Sequence, residues 1–196
     1  LLGASAGFLV VVGVLSVREV LSEDAVVFQT RSSYGVHRVT REGSLVTHIH
    51  GTTIHGIQDT DPTRRRTPGA YYALSSPLAD VMEVSPSPKR VGAIGLGAGA
   101  TAAYLQAGDS IDFFEIDPAV VAIASTQFTY LDDTEARWRV EIGDARVRLE
   151  ERPTEEPLYD VIFVDAFTSD AVPTHLSTVE AMDLYQERLT PYGVIV

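Results

Sequence analysis

The stretch that most constrains the fold runs from Gly95 to Pro118 and reads GLGAGATAAYLQAGDSIDFFEIDP. It places a glycine-rich turn about twenty residues before Glu115, the acid that ends an apolar run. This is the layout of a nucleotide-binding βαβ unit, in which Gly95, Gly97 and Gly99 let the backbone approach the ligand. The carboxylate of Glu115 would bind the ribose hydroxyls of an adenosine. The stretch alone admits NAD, S-adenosylmethionine or an aminopropyl-donating relative of it.

Strand and helix patterns alternate along the rest of the chain. Apolar runs at 90–96, 110–117, 137–144, 158–167 and 193–196 predict five strands. Helical patterns at 71–83, 98–107, from 118 onwards, after Asp144 and at 178–189 surround or separate them. This alternation predicts an α/β domain over residues 68–196 with a parallel, doubly wound sheet. Because the chain stops inside the fifth strand, we expect that domain to be incomplete at its C-terminus.

Two shorter segments precede this domain. Residues 25–60 alternate between polar and apolar side chains and are rich in Val, Thr and Ile, which predicts a small antiparallel β-domain. Residues 1–17 are apolar and uncharged, so residues 1–21 are interpreted as the end of a transmembrane helix. We therefore expect a membrane-anchored protein whose catalytic domain lies in the cytoplasm.

Composition excludes several kinds of site. The chain has no cysteine, which rules out disulfides, thiolate nucleophiles and cysteine-based metal centres. Its net charge of −12 argues against nucleic acid as a partner and suits a cationic small molecule.

Two acids at predicted strand ends are candidates for chemistry. Asp144 follows the third strand, where it could bind the adenine amino group or cap the next helix. Asp165 follows the buried run YDVIFV, at the sheet edge where ligands bind, so it could deprotonate or hold an attacking amine. The loop after it supplies Thr168 and Asp170.

Three histidines, His48, His50 and His55, are spaced as H-x-H-x4-H. A regular strand would put His48 and His50 on one face and His55 on the other. No metal site is therefore predicted.

The ordered blocks SSYG, GTTIHGIQ, YY, GLGAGATAAY, FFEIDP, GDAR, DVIFVDAFTSDAVPTHLST and LTPYGVIV resemble the spermidine synthase (polyamine aminopropyltransferase) family. The likeness is strongest to the branch fused behind a multi-spanning membrane region. It implies a Rossmann-like domain of the class I S-adenosylmethionine-dependent methyltransferase type. It also implies aminopropyl transfer from decarboxylated S-adenosylmethionine to a diamine such as putrescine, without a metal. The oligomeric state stays open, with a homodimer as one option.

The resemblance also assigns roles to residues of this chain. Asp165 would be the base, with Asp170 as a second acid. The donor would be held by Gly95, Gly97, Gly99, Glu115, Asp144 and Gln58, and the amine by Tyr71, Tyr72 and Thr168. Ala98 stands where the family's turn carries an Asp for the donor's amine, and Thr168 stands in the slot of the family's second acid.

Two other functions stay open at this point. Ala98 favours an S-adenosylmethionine-dependent methyltransferase, because the donor then needs no acid at that position. The apolar N-terminus fits a non-catalytic domain that senses polyamines or nucleosides for a membrane transporter. An NAD dehydrogenase is disfavoured, because nothing supplies a hydride-transfer site.

Overall fold

The computed structural model describes residues 25–153, 158–167 and 173–196. The predicted transmembrane helix at 1–21 lies outside these ranges, as do Thr168 and Asp170. Within the described ranges, no helix is both long and apolar enough to cross a membrane. The expectation of a membrane-anchored localisation, which rested on the apolar run alone, is corrected on this finding.

The first sheet is an antiparallel meander of four strands. Its strands are β1 (Val26–Ser32), β2 (Gly35–Glu42), β3 (Leu45–His50) and β4 (Thr53–Asp59), in the order β1-β2-β3-β4. Two-residue turns join them, and glycines with positive φ begin the second turn at Gly43 and the third at Gly51. The predicted antiparallel β-region is thus confirmed.

The second sheet has five strands in the order β7-β6-β5-β8-β9, and every neighbouring pair is parallel. They are β5 (Arg90–Ile94), β6 (Ser110–Glu115), β7 (Arg137–Ile142), β8 (Tyr159–Val164) and β9 (Leu189–Ile195). The central strand β5 is buried along Val91–Ile94, as expected for a strand covered on both faces. The predicted doubly wound sheet is confirmed.

Five α-helices accompany these sheets in the described part of the chain: α1 (Pro77–Val84), α2 (Pro118–Gln127), α3 (Tyr130–Asp133), α4 (Ala145–Glu150) and α5 (Val179–Glu187). Side chains of Asp117, Asp144 and Thr178 accept backbone N–H groups at the starts of α2, α4 and α5. The sequence therefore marked these three helix starts correctly.

One helix prediction is wrong. Residues 98–107 were expected to form an α-helix, but only a 3₁₀ turn forms, at Ala100–Tyr104. Gly97 and Gly99 hold φ values of +55° and +80°, so the chain is still turning where the helix was expected to start. The expected helix at 71–83 is likewise split into a 3₁₀ turn at Ala70–Tyr72 and helix α1.

The two sheets contact each other closely. A Cβ added to Gly56 of β4 would lie 2.4 Å from the Cβ of Ala98 in the glycine turn. Ser32 of β1 donates a hydrogen bond of 2.5 Å to Asp117 at the start of α2. The N-terminal sheet therefore closes over the carboxyl edge of the parallel sheet.

Candidate active site

A cavity of about 290 Å³ lies where the antiparallel sheet meets the carboxyl ends of the parallel strands. Gly95, Glu115, Asp144 and Asp165 line it, and each lies at or just beyond the end of a different strand. The chain leaves β5 first toward β6 and later returns to its other side at β8, so the cavity occupies the topological switch point. Ligands of open α/β sheets bind at this point.

The glycine turn forms the floor of the cavity, and its residues are fixed by close backbone contacts. A Cβ on Gly95 would lie 2.4 Å from the carbonyl oxygen of Asp165, and one on Gly97 would lie 2.7 Å from that of His55. No side chain fits at either position. Gly95 and Gly97 line the cavity, whereas Gly99 packs against Leu131 and is not a lining residue.

Glu115 is 8% exposed and organises the turns on both sides of it. Its carboxylate accepts the backbone N–H of Leu96 at 3.1 Å and that of Asp117 at 2.9 Å. Burial raises its pKa to about 7, against the effect of these hydrogen bonds. Glu115 also lines the cavity, at the strand end where a carboxylate can accept ribose hydroxyls.

Asp144 caps helix α4 and also contacts a histidine that sequence reasoning left without a role. One oxygen accepts the N–H groups of Arg146 and Val147, and the other lies 2.7 Å from Nε2 of His175. Both Asp144 and His175 line the cavity. The helix cap fixes the Asp144 side chain, so its position in the cavity is preorganised.

Asp165 lies at the opposite end of the cavity, between two tyrosines. The hydroxyl of Tyr72 donates a short hydrogen bond to Oδ2 of Asp165, and that of Tyr71 lies 3.4 Å from the same oxygen. Burial raises the pKa of Asp165 to about 6, while the tyrosine hydrogen bonds act in the opposite direction. Tyr71 lines the cavity, and the buried Tyr72 supports Asp165 from behind. Such a carboxyl group can accept a proton near neutral pH.

Two residues named from the sequence lie elsewhere. Gln58 is fully buried, donates to the carbonyl of Arg65 and to Oγ1 of Thr129, and accepts the N–H of Thr129. It does not line the cavity, because its amide group links β4 to the loop before α3. Ala98 is also fully buried, beneath Gly56, and does not reach the cavity.

The histidines are the feature that sequence reasoning missed. His37 of β2, His48 and His50 of β3, and His55 of β4 all line the cavity. The turn at 51–52 reverses the chain, and a register shift in β4 opposite His48 and Ile49 leaves His55 between paired residues, where it lines the same cavity as His48 and His50. A turn signal at Gly51 was present in the sequence and would have revealed the reversal. Within the described ranges, no group of three or more His, Asp or Glu residues is arranged to hold a metal ion.

The comparisons with known proteins agree with this architecture. No family model matches the chain. The polyamine aminopropyltransferase of Vibrio vulnificus (strain CMCP6) is 32% identical over 149 residues, or 74% of this chain and 48% of that protein. A probable spermidine synthase from Corynebacterium glutamicum ATCC 13032 has a TM-score of 0.67 at 17% identity, over 86% of this chain and 62% of that one. This chain belongs to the spermidine synthase family.

The solved probable spermidine synthase aligns over most of this chain, including residues of both sheets. The chain spans about half the length of the curated relative. Human methyltransferase-like protein 13, solved with SAH, aligns with a TM-score of 0.47 at 24% identity, over 60% of this chain and 56% of that one.

Proposed function

We propose that the protein is an aminopropyltransferase that moves the aminopropyl group of decarboxylated S-adenosylmethionine to a diamine such as putrescine. The observation that carries this proposal is the placement of Asp165. Its carboxylate shares one cavity with Glu115 and Asp144, and two tyrosine hydroxyls orient it. The family relationship supports the same reading of the cavity.

The adenosine part of the donor would occupy the end of the cavity formed by Glu115, Ile116 and Asp144. Glu115 would accept the ribose hydroxyls, and Asp144 would accept the adenine amino group through the oxygen that faces His175. Gly95 and Gly97 leave room for the sulfonium centre to approach the backbone. These placements follow the usual position of nucleosides at this edge of the sheet.

At the other end, Asp165 would take a proton from the ammonium group of the acceptor. The freed lone pair attacks the aminopropyl carbon next to sulfur, forming the new C–N bond. The C–S bond breaks, its electron pair stays on sulfur, and the sulfonium becomes the neutral thioether of methylthioadenosine. Burial of Asp165, which raises its pKa, makes it a stronger base for this transfer.

A second candidate is methyl transfer from S-adenosylmethionine, which the environment of Ala98 favours. Residue 98 is an alanine, so no acid at that position grips the amine of the donor's tail. Calorimetric titration with both donors distinguishes the two functions. Aminopropyl transfer predicts tighter binding of the decarboxylated donor, and methyl transfer predicts tighter binding of the carboxylated one.

The direct test is incubation of the full chain with decarboxylated S-adenosylmethionine and putrescine, followed by chromatography for methylthioadenosine. We expect release by the parent protein and a loss of 100-fold or more, on the order of general-base catalysis, in Asp165→Asn. Absence of release by the parent, with the donor shown to bind, would overturn the proposal.

A further inference from the structure

The four cavity histidines form a continuous wall on the antiparallel sheet, which we call the histidine wall (His37, His48, His50 and His55). The rings of His37 and His50, which pair across β2 and β3, stack at 4.3 Å between centroids. The ring of His55 lies 5.8 Å from that of His48 and 5.4 Å from that of His50. Nothing in the proposed transfer step uses these side chains.

Hydrogen bonds connect this wall to the parallel sheet through Asp117. Nε2 of His37 lies 2.9 Å from Oδ2 of Asp117, and Nδ1 of His37 lies 3.1 Å from Nε2 of His48. Asp117 is 2% exposed, and its other oxygen caps helix α2 by accepting the N–H of Ala119. The hydrogen-bonded series Asp117–His37–His48 therefore begins at a carboxylate whose position is fixed.

This series of hydrogen bonds from Asp117 fixes the tautomers of the His37 and His48 rings. A carboxylate only accepts hydrogen bonds, so Nε2 of His37 must carry the proton. Burial lowers the pKa of His37, and it lowers that of His48 to about 3, so both rings are neutral at pH 7. The Nδ1 of a neutral His37 is then bare and accepts the N–H of His48 Nε2. It follows that Nδ1 of His48 is also bare.

Two buried ring nitrogens of the histidine wall have no hydrogen-bond partner among the described residues: Nδ1 of His48 and Nε2 of His55. Their rings lie on adjacent strands and line the same cavity. A buried acceptor without a hydrogen bond is costly, so an arriving N–H donor would gain more here than at a solvated site. The His48 nitrogen in particular is locked as an acceptor by Asp117.

We propose that the histidine wall is the subsite for a primary ammonium group of the acceptor diamine, which donates a hydrogen bond to the bare Nδ1 of His48. This inference rests on the proposed function, because it assigns the part of the same cavity that receives the amine. A bare Nδ1 accepts from an ammonium group but repels the oxygens of a carboxylate, so the wall selects amines.

The first test reads the tautomers directly. Imidazole ¹⁵N chemical shifts of the full chain at pH 7 should show His37 and His48 protonated on Nε2 alone. In Asp117→Asn, Oδ1 should keep the cap of α2, which places the NH₂ group at the position of Oδ2. The amide then donates to His37, and both rings should switch to the Nδ1–H tautomer. His48 protonated on Nδ1 in the parent protein would overturn the proposal.

The second test measures putrescine binding by calorimetry, with and without methylthioadenosine in the cavity. We expect His48→Leu to weaken putrescine binding at least about tenfold, and His48→Asn, whose Oδ1 replaces Nδ1 as an acceptor, to recover part of the loss. Neither substitution changes the charge of a neutral ring, so a charge effect cannot mimic the result. If His48→Leu binds putrescine as tightly as the parent, or the parent does not bind it, the proposal fails.

Methylthioadenosine, which has no ammonium group, separates this failure from that of the proposed function. Its affinity should be the same in the parent, His48→Leu and His48→Asn. If the parent protein does not bind methylthioadenosine, this result would instead count against the nucleoside site and the proposed function. In that case the putrescine titration without nucleoside and the ¹⁵N spectra still test whether the histidine wall binds an ammonium group.

Discussion

At the scale of single residues, the catalytic role proposed for Asp165 would come at a cost in stability. Its folded-state pKa of about 6 lies above its ordinary value of 3.8, so the folded state binds this proton more tightly than the unfolded chain. Stability from this group is therefore present below about pH 4 and is lost as the pH rises through 6. At neutral pH, the protein keeps a destabilising ionised carboxylate in its cavity, as expected for a residue retained for chemistry.

Asp165→Asn should therefore stabilise the fold while it abolishes transfer. We expect the free energy of unfolding at pH 8 to rise by about 3 kcal/mol, because a pKa raised from 3.8 to about 6 corresponds to a cost of this order for the ionised group. Denaturant melts at pH 8 measure it. Asp183→Asn, at an exposed position on α5, is the matched control and should leave stability unchanged.

Glu115 gives a pH dependence of nucleoside binding. Its pKa of about 7 means that half of the free protein has a protonated Glu115 near neutrality, and only the ionised form accepts both ribose hydroxyls. Methylthioadenosine should bind more tightly as the pH rises from 6 to 8, and then level off. Titration calorimetry at several pH values measures this. In Glu115→Gln, this step should vanish and binding should be weak throughout; a step that persists would exclude Glu115 as its source.

At the scale of elements, the strands were predictable and the segments between them were less so. The apolar runs that became β5, β6 and β8 are buried on both faces, so hydrophobicity alone marks them. The helix predicted after the glycine turn did not form. Its alanines favour a helix, but Gly97 and Gly99 keep the backbone in left-handed conformations. Local propensity gave the wrong element where positive φ angles decided the outcome.

The histidine wall shows a second limit of the sequence. Faces can be assigned only after the turns are known, because one unrecognised turn reverses the inferred side of every following residue. With the turn at 51–52 and the register shift in β4 placed, His48, His50 and His55 line one cavity. His37 and Asp117 are 80 positions apart, and only the docking of the two sheets brings them together.

The side chain of Gln58 allows a test of the hydrogen bonds that link β4 to the loop before α3. Gln58→Ala would leave the partly buried N–H of Thr129 and the carbonyl of Arg65 without their partners. We expect it to lower the free energy of unfolding by about 2–3 kcal/mol, with the affinity for methylthioadenosine unchanged. Thermal melts and calorimetry measure the two effects. Gln29→Ala, on the exposed side of β1, is the control. Weaker nucleoside binding with normal stability would return Gln58 to the ligand site.

At the scale of the whole molecule, two sheets build the cavity together. The strand order β7-β6-β5-β8-β9 brings Gly95, Glu115, Asp144 and Asp165 to one edge of the sheet. The three acids were identifiable from the sequence because each ends or follows a predicted strand. The antiparallel sheet adds the histidines, which no pattern within a single strand indicates. The apolar N-terminus, by contrast, led to an expected membrane localisation that is corrected, because no helix of the described residues could cross a membrane.

The most direct test of the central claim identifies the group that is transferred. The full chain is incubated with putrescine and an equal mixture of decarboxylated and carboxylated S-adenosylmethionine, and the amine products are analysed by mass spectrometry. We expect putrescine to gain an aminopropyl group, in an amount equal to the methylthioadenosine released, and this product to be absent with Asp165→Asn. A methylated amine, or unmodified putrescine after the donors are shown to bind, would contradict the account.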